Sequence, residues 1–139
     1  MSAASGPEAG VWFSGSARLV AVERHVDARG ALVPLEFDRL PFAPRRLFTV
    51  SGVPAGTRRG GHAHRRGQQL LVCLQGRVDL RLRLEDEEVS ATLAADGPAM
   101  LIGAGIWCEQ TYVDEGSVLL VVSSEPYDPA SYVDHWQEA

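Results

Sequence analysis

Two histidines, His62 and His64, stand two residues apart in the stretch Gly56-Thr57-Arg58-Arg59-Gly60-Gly61-His62-Ala63-His64-Arg65-Arg66-Gly67-Gln68-Gln69. On an extended chain successive side chains alternate between faces, so both imidazoles project from one side. Free imidazole titrates near ~6.5, which gives each ring both protonation states at neutral pH, as general acid–base chemistry requires. An isolated His-x-His pair fits two surface or packing residues equally well, so the residues around it must decide.

Their spacing points to a built site. Gly56, five residues, His62-Ala63-His64, four residues, Gln69, six residues and Gly76 is similar to the first cupin motif, with Gln69 where Glu is usual. Gly97, five residues, Gly103, one residue, Gly105, two residues and Cys108 matches the second motif in spacing, with Gly103 for the proline and Cys108 for the histidine. A metal cupin presents three histidines and a glutamate. This chain offers His62, His64, neutral Gln69 and Cys108, a set weakened toward hard or borderline divalent ions. His, His and Cys can still hold zinc. A metal-dependent cupin enzyme on His62, His64 and Cys108 therefore stands as an alternative to a metal-free one.

A scaffold must hold these residues, and the rest of the chain reads as short strands. With 139 residues, 45% hydrophobic and 22% charged, the chain fits one soluble domain. Strands are expected over Arg18 to Val22, Ala31 to Phe37 and Arg46 to Val50, the first two split by the turn Asp27-Ala28-Arg29-Gly30. Leu70 to Leu74 is apolar throughout, which predicts a strand covered on both faces, with Gln69, Leu71 and Cys73 sharing the inward one. Val78, Leu80, Leu82 and Leu84 alternate with Asp79, Arg81 and Arg83, the pattern of a strand with one wet face. Val89 to Leu93, Ala99 to Ile102, Glu109 to Val113 and Val118 to Ser123 complete an all-β, cupin-type antiparallel barrel or jelly roll. Asp128 as N-cap with Pro129 at the first helical position predicts a short C-terminal helix through Tyr132, Val133 and Trp136. Residues 1–16, rich in Ser, Ala and Gly, read as a flexible arm carrying Trp12 and Phe13, and 17–139 as a single domain.

Composition excludes several classes. The net charge is -5, from 18 acids against 13 bases, which argues against a nucleic-acid or membrane-surface binder. Every base is arginine, so Schiff-base chemistry and lysine acid–base roles are excluded. Cys73 and Cys108 form no CxxC pair, no signal-peptide pattern opens the chain, and runs such as Val118 to Val122 are too short to cross a bilayer. A cytoplasmic protein is expected.

From Arg29 to Trp136 the chain resembles the WxcM-like cupins that act as dTDP-4-keto-6-deoxyglucose 3,4-ketoisomerases. The markers are Arg29-Gly30, Pro41-Phe42 with Arg45-Arg46, Arg59-Gly60-Gly61-His62-Ala63-His64, Gln69 with Val72-Cys73-Leu74-Gln75-Gly76, Trp107, and Tyr127-Asp128-Pro129-Ala130-Ser131-Tyr132. The resemblance implies a homodimer that moves a ketone from C4 to C3 of a dTDP-linked keto-deoxysugar without metal or organic cofactor, with His62 and His64 as the catalytic pair. It also implies a substrate site drawn from Arg59, Arg46, Arg29, Phe48, Gln69, Trp107 and Cys108, with Arg59 first and Arg46 second for the pyrophosphate, whose oxygens a guanidinium fork suits. Arg58, Arg65 and Arg66 read as flanking surface charge. Two positions depart from the family pattern. Phe48 stands where tyrosine is common and cannot donate a hydrogen bond, and Cys108 stands where His or Arg commonly helps set product configuration. A binding module that keeps the nucleotide-sugar pocket without turnover is the remaining reading.

Overall fold

The computed structural model describes residues 10–133. Its strands are β1 (Val11–Trp12), β2 (Ala17–Val20), β3 (His25–Asp27), β4 (Gly30–Leu32), β5 (Arg46–Val50), β6 (Thr57–His64), β7 (Gln69–Gln75), β8 (Arg77–Leu84), β9 (Glu87–Ala94), β10 (Ala99–Ile102), β11 (Trp107–Tyr112), β12 (Val118–Ser123) and β13 (Tyr132–Val133). They form a six-stranded sheet in the order β1-β2-β10-β7-β12-β5 and a five-stranded sheet in the order β13-β6-β11-β8-β9. A separate hairpin, β3-β4, stands apart from both. Every pairing is antiparallel.

Two layers of apolar side chains explain the arrangement. Leu71, Cys73, Met100, Leu119 and Val121 of one sheet meet Val78, Leu80, Leu82, Leu93, Cys108 and Tyr112 of the other in the main core. Leu70, Val72, Ala99, Leu101 and Val122 point the opposite way and are covered by Val20, Val22, Leu35, Leu40 and Phe42. The central strands of the six-stranded sheet are thus dry on both faces, as the unbroken apolar run of β7 requires. The five-stranded sheet has a wet outer face, where Arg81 and Arg83 of β8 pair with Glu88 and Arg81 also pairs with Glu109.

Two expectations need correction. The strand expected over Ala31 to Phe37 stops at Leu32, and Phe37–Arg39 is a single 3-10 turn. Pro34 offers no N–H for a ladder, and Leu35 and Leu40 are drawn onto the outer apolar layer instead. Trp12 and Phe13, the two aromatics carried by the N-terminal segment, are docked on the chain itself: Val11 and Trp12 pair with Arg18 and Ala17, and Phe13 is buried in the core.

The C-terminal helix is replaced by one 3-10 turn, Pro129–Ser131, followed by strand β13. The capping chemistry is present, since Asp128 accepts a hydrogen bond from the Ala130 N–H. The free edge of β6 then captures the chain: the Arg65 N–H donates to the Ser131 carbonyl, and Tyr132 and Val133 pair with His64 and Ala63. Trp136, the expected end of that helix, lies outside the described residues.

Candidate active site

Strand β6 carries the site, flanked by β11 on one side and β13 on the other. Cys108 stands opposite His62 and Tyr132 opposite His64, so four side chains share one face. The imidazole centroids are 5.5 Å apart with the rings nearly perpendicular at 83°. Ala63, between them, points away and is buried.

A β-bulge decides which arginine joins them. The β6–β11 register shifts between Cys108 and Glu109, which pair with His62 and Gly60 and leave Gly61 as the extra residue. Both glycines lie in the left-handed region, at φ 79° and 81°. A β-carbon on Gly60 would sit 2.9 Å from Gln110 Oε1 and 3.0 Å from the Cys108 carbonyl, so only glycine fits there. The bulge inverts the alternation upstream. Arg59 pairs with Gln110, two residues beyond Cys108, and therefore lies on the histidine face although it is three residues from His62. Arg59 is close enough for its charge to draw the buried Tyr112 phenol downward, against burial that pushes the phenol up to about 12.

An open cleft of about 210 Å³ lies beside the pair, lined by His64, Gln69, Tyr132, Arg45, Arg46 and Arg66. A smaller recess of about 20 Å³ leads inward from His62 and His64 past Gln69, Cys108, Gln110 and Ile106. His64 and Gln69 border both spaces. Arg46 and Phe48, on the inward face of β5, stack: the guanidinium lies 4.6 Å from the Phe48 ring centre and 4.9 Å from that of Tyr127.

Burial, then the neighbouring charges of His62 and Arg46, pull His64 down to about 4, which leaves it neutral at physiological pH. The Cys108 thiol is pushed up to about 12 by burial, opposed by a 3.4 Å hydrogen bond from Gln110. A thiol so resistant to ionisation, with neutral Gln69 beside it, is a poor donor set for a metal. Among the described residues no three His, Cys, Asp or Glu side chains come together as a metal site.

The sequence-derived site residues therefore divide. His62, His64, Gln69, Cys108 and Arg46 line the two spaces and Phe48 stacks on Arg46, whereas Arg59 shares the histidine face of β6 without lining either space. Trp107 does not: adjacent to Cys108, it faces outward, with Arg81 and Arg83 over its ring at 6.0 and 5.8 Å. Arg29 sits at the tip of the β3-β4 hairpin, 90% exposed and paired with Asp27 at 2.6 Å. Residue types alone did not reveal Tyr132, whose ring centre is 4.7 Å from His62 and 4.5 Å from His64. Arg66 also exceeds its expected role as flanking charge, since it lines the cleft and pairs with Asp128 and Glu125.

Residues 16–138 match the family model described as FdtA: WxcM-like, C-terminal. The chain is similar to the TDP-4-oxo-6-deoxy-alpha-D-glucose-3,4-oxoisomerase of Aneurinibacillus thermoaerophilus, 29% identical over 119 residues, 84% of each chain. Its fold is similar to that of QdtA, a sugar 3,4-ketoisomerase from Thermoanaerobacterium thermosaccharolyticum solved in complex with TDP. There the TM-score is 0.81 at 33% identity, over 89% of this chain and 91% of that one. It is also similar to the WlaRB TDP-quinovose 3,4-ketoisomerase from Campylobacter jejuni, with a TM-score of 0.77 and 28% identity, over 86% of this chain and 92% of that one.

Proposed function

The chain belongs to the FdtA, WxcM-like family, and from that membership we propose that it is a TDP-sugar 3,4-ketoisomerase that converts a 4-keto-6-deoxyhexose to its 3-keto isomer. The observation that carries the mechanism is a neutral His64 set 5.5 Å from His62 at the mouth of an arginine-lined cleft. The ketone at C4 acidifies the C3 proton. Neutral His64 takes that proton, the C3–H electrons form the C3=C4 bond, and the C4 oxygen takes a proton from solvent to give the enediol. His62 then delivers a proton to C4 while the C3 hydroxyl releases its own to solvent, leaving the ketone at C3, and proton exchange of the two imidazoles with solvent restores both. Atoms and charge balance without a redox partner. Arg59 and Arg46 bind the pyrophosphate, Phe48 holds Arg46 by stacking, and the small neutral Cys108 leaves room beside His62.

We also place the enzyme in the cytoplasm as a homodimer. The free thiols of Cys73 and Cys108 suit a reducing compartment. Among the described residues no helix is long and apolar enough to cross a membrane. A second copy is supported by the β3-β4 hairpin, where Val26 and Leu32 are exposed.

Proton NMR in deuterated buffer with TDP-4-keto-6-deoxyglucose tests the reaction. Enzyme-dependent loss of the C3 proton signal with appearance of a 3-keto sugar is expected. His64→Asn is expected to abolish both while TDP binding stays within a few-fold. Full turnover by that variant would overturn the histidine assignment, and no turnover by the unaltered protein would overturn the substrate.

A further inference from the structure

The reaction outlined above gives Tyr132 no task, yet among the described residues it is the aromatic ring in contact with both imidazoles, at 4.7 and 4.5 Å. Strand β13, which carries it, spans two of the described residues, Tyr132–Val133, and is held by more than its own ladder. The Arg65 N–H donates to the Ser131 carbonyl at 2.8 Å, and Arg65 Nε donates to the Ala130 carbonyl at 3.2 Å. Arg66 Nη2 donates to Asp128 Oδ2 at 2.8 Å, while Asp128 Oδ1 accepts from the Ala130 N–H at 3.0 Å. The arginines that follow the histidines thus clamp the strap that returns a tyrosine ring onto them.

Imidazole has a broad, roughly two-fold second torsion, so a ring bordering an open cleft can swing unless something packs against it. Proton transfer to and from adjacent carbons tolerates little swing, since an ångström of misplacement costs about 100-fold in rate. Among the described residues, the other polar groups lining the spaces beside the pair are Arg45 and Arg46, Gln69 from β7, Cys108 and Gln110 from β11, and Arg66, Glu125 and Asp128 around the cleft. None of them is a rigid plane laid against both rings.

We propose that Tyr132 is a positioning residue whose ring fixes the mutual orientation of His62 and His64, so that the enediol is protonated at C4 before it reverts at C3. This rests on the ketoisomerase reading and names what commits its intermediate to product. It is the ring that acts, so Tyr132→Phe preserves the effect and Tyr132→Leu removes it.

The test follows C3 deuterium exchange in recovered substrate against 3-keto product, with kcat and KM, for the unaltered protein and both variants. Tyr132→Leu is expected to lose about 100-fold in kcat with KM within about three-fold, and to raise the exchange-to-product ratio at least about ten-fold. Tyr132→Phe is expected to stay within about three-fold on every measure. A leucine variant with an unchanged kcat and ratio overturns the proposal, and so does a phenylalanine variant as impaired as the leucine one. If Tyr132→Leu does not fold, Asp128→Ala, which loosens the strap and keeps the ring, decides by the same ratio: a rise supports the proposal and no change overturns it. An unaltered protein that neither exchanges nor isomerises this sugar counts against the ketoisomerase reading alone. Carbon-13 relaxation of the two imidazoles then judges Tyr132 without substrate: rings ordered in the unaltered protein and mobile in the leucine variant support it, and rings equally ordered in both overturn it.

Discussion

At His64 burial and charge act in the same direction, and the consequence reaches beyond catalysis. Unfolded, this imidazole titrates at its ordinary value of 6.5; folded, it refuses the proton until about pH 4. Between those values the unfolded chain binds a proton that the folded chain does not, so folding loses stability as pH falls from about 6.5 to about 4 and regains it as pH rises. The loss amounts to about 2 kcal/mol once solvent screening of a partly exposed ring is allowed for. Urea titrations at pH 7.5 and pH 5 are expected to show that His64→Asn removes this part of the pH dependence. Parallel profiles for the two proteins would mean that the histidine is not held neutral. Residue types and spacing made His62, His64, Gln69 and Cys108 legible as a group because each lies near the β6–β11 pairing or the start of β7. Tyr132 was not legible as their neighbour, because its contact is made across a pairing with a strand 68 residues upstream that no local pattern announces.

At the scale of elements, the two-residue alternation of a strand is a good guide until a bulge breaks it. That alternation puts Arg59 on the opposite face from His62, whereas the extra residue at Gly61 returns it to the same face. The Gly60-Gly61 pair was the available signal, since consecutive glycines inside a strand mark a bulge or a close backbone approach. The C-terminal helix failed for a related reason: Asp128 and Pro129 promise a helix start, but the unpaired edge of β6 offers a ladder that a one-turn helix cannot match. Gly60→Ala tests the bulge. A β-carbon there meets the Cys108 carbonyl and must also hold φ near 79°. The variant is expected to lose about 2–3 kcal/mol, lowering Tm by about 5–10 °C, and to weaken TDP binding as Arg59 turns away. Gly52→Ala, at φ 69° with nothing within 4 Å of the added carbon, should bear the backbone cost alone and bind TDP normally. Equal effects on TDP affinity in the two variants would show that the bulge does not set the direction of Arg59.

For the whole molecule, the two sheets cover most of their apolar surface, Leu47 on the edge strand β5 excepted at 55% exposed, but the β3-β4 hairpin does not. It joins neither sheet, and it leaves Val26 73% and Leu32 60% exposed, with Phe37 at 58% following soon after in the chain. Burying each such side chain is worth about 1.5–3 kcal/mol, and since Val26 pairs with Ala31 and Leu32 with His25, the two stand on opposite faces of the ribbon and leave both faces to be covered. The hairpin also carries Arg29, whose guanidinium is exposed, and we propose that the ribbon lies against the cleft of a second copy and brings Arg29 to its nucleotide. Sedimentation equilibrium is expected to give about twice the 15.0 kDa chain mass for the unaltered protein. Val26→Asp with Leu32→Asp should give the single-chain mass with the fold intact by circular dichroism, because neither side chain belongs to the apolar layers of the sheets. Placing two carboxylates in a dry interface leaves them unpaired, which costs more than the lost apolar contact alone. The same double variant should bind TDP more weakly, and Arg29→Ala should match it in affinity while remaining dimeric. A protein that sediments as a single chain before any substitution would remove the hairpin from the site and leave Arg59 and Arg46 to hold the pyrophosphate unaided.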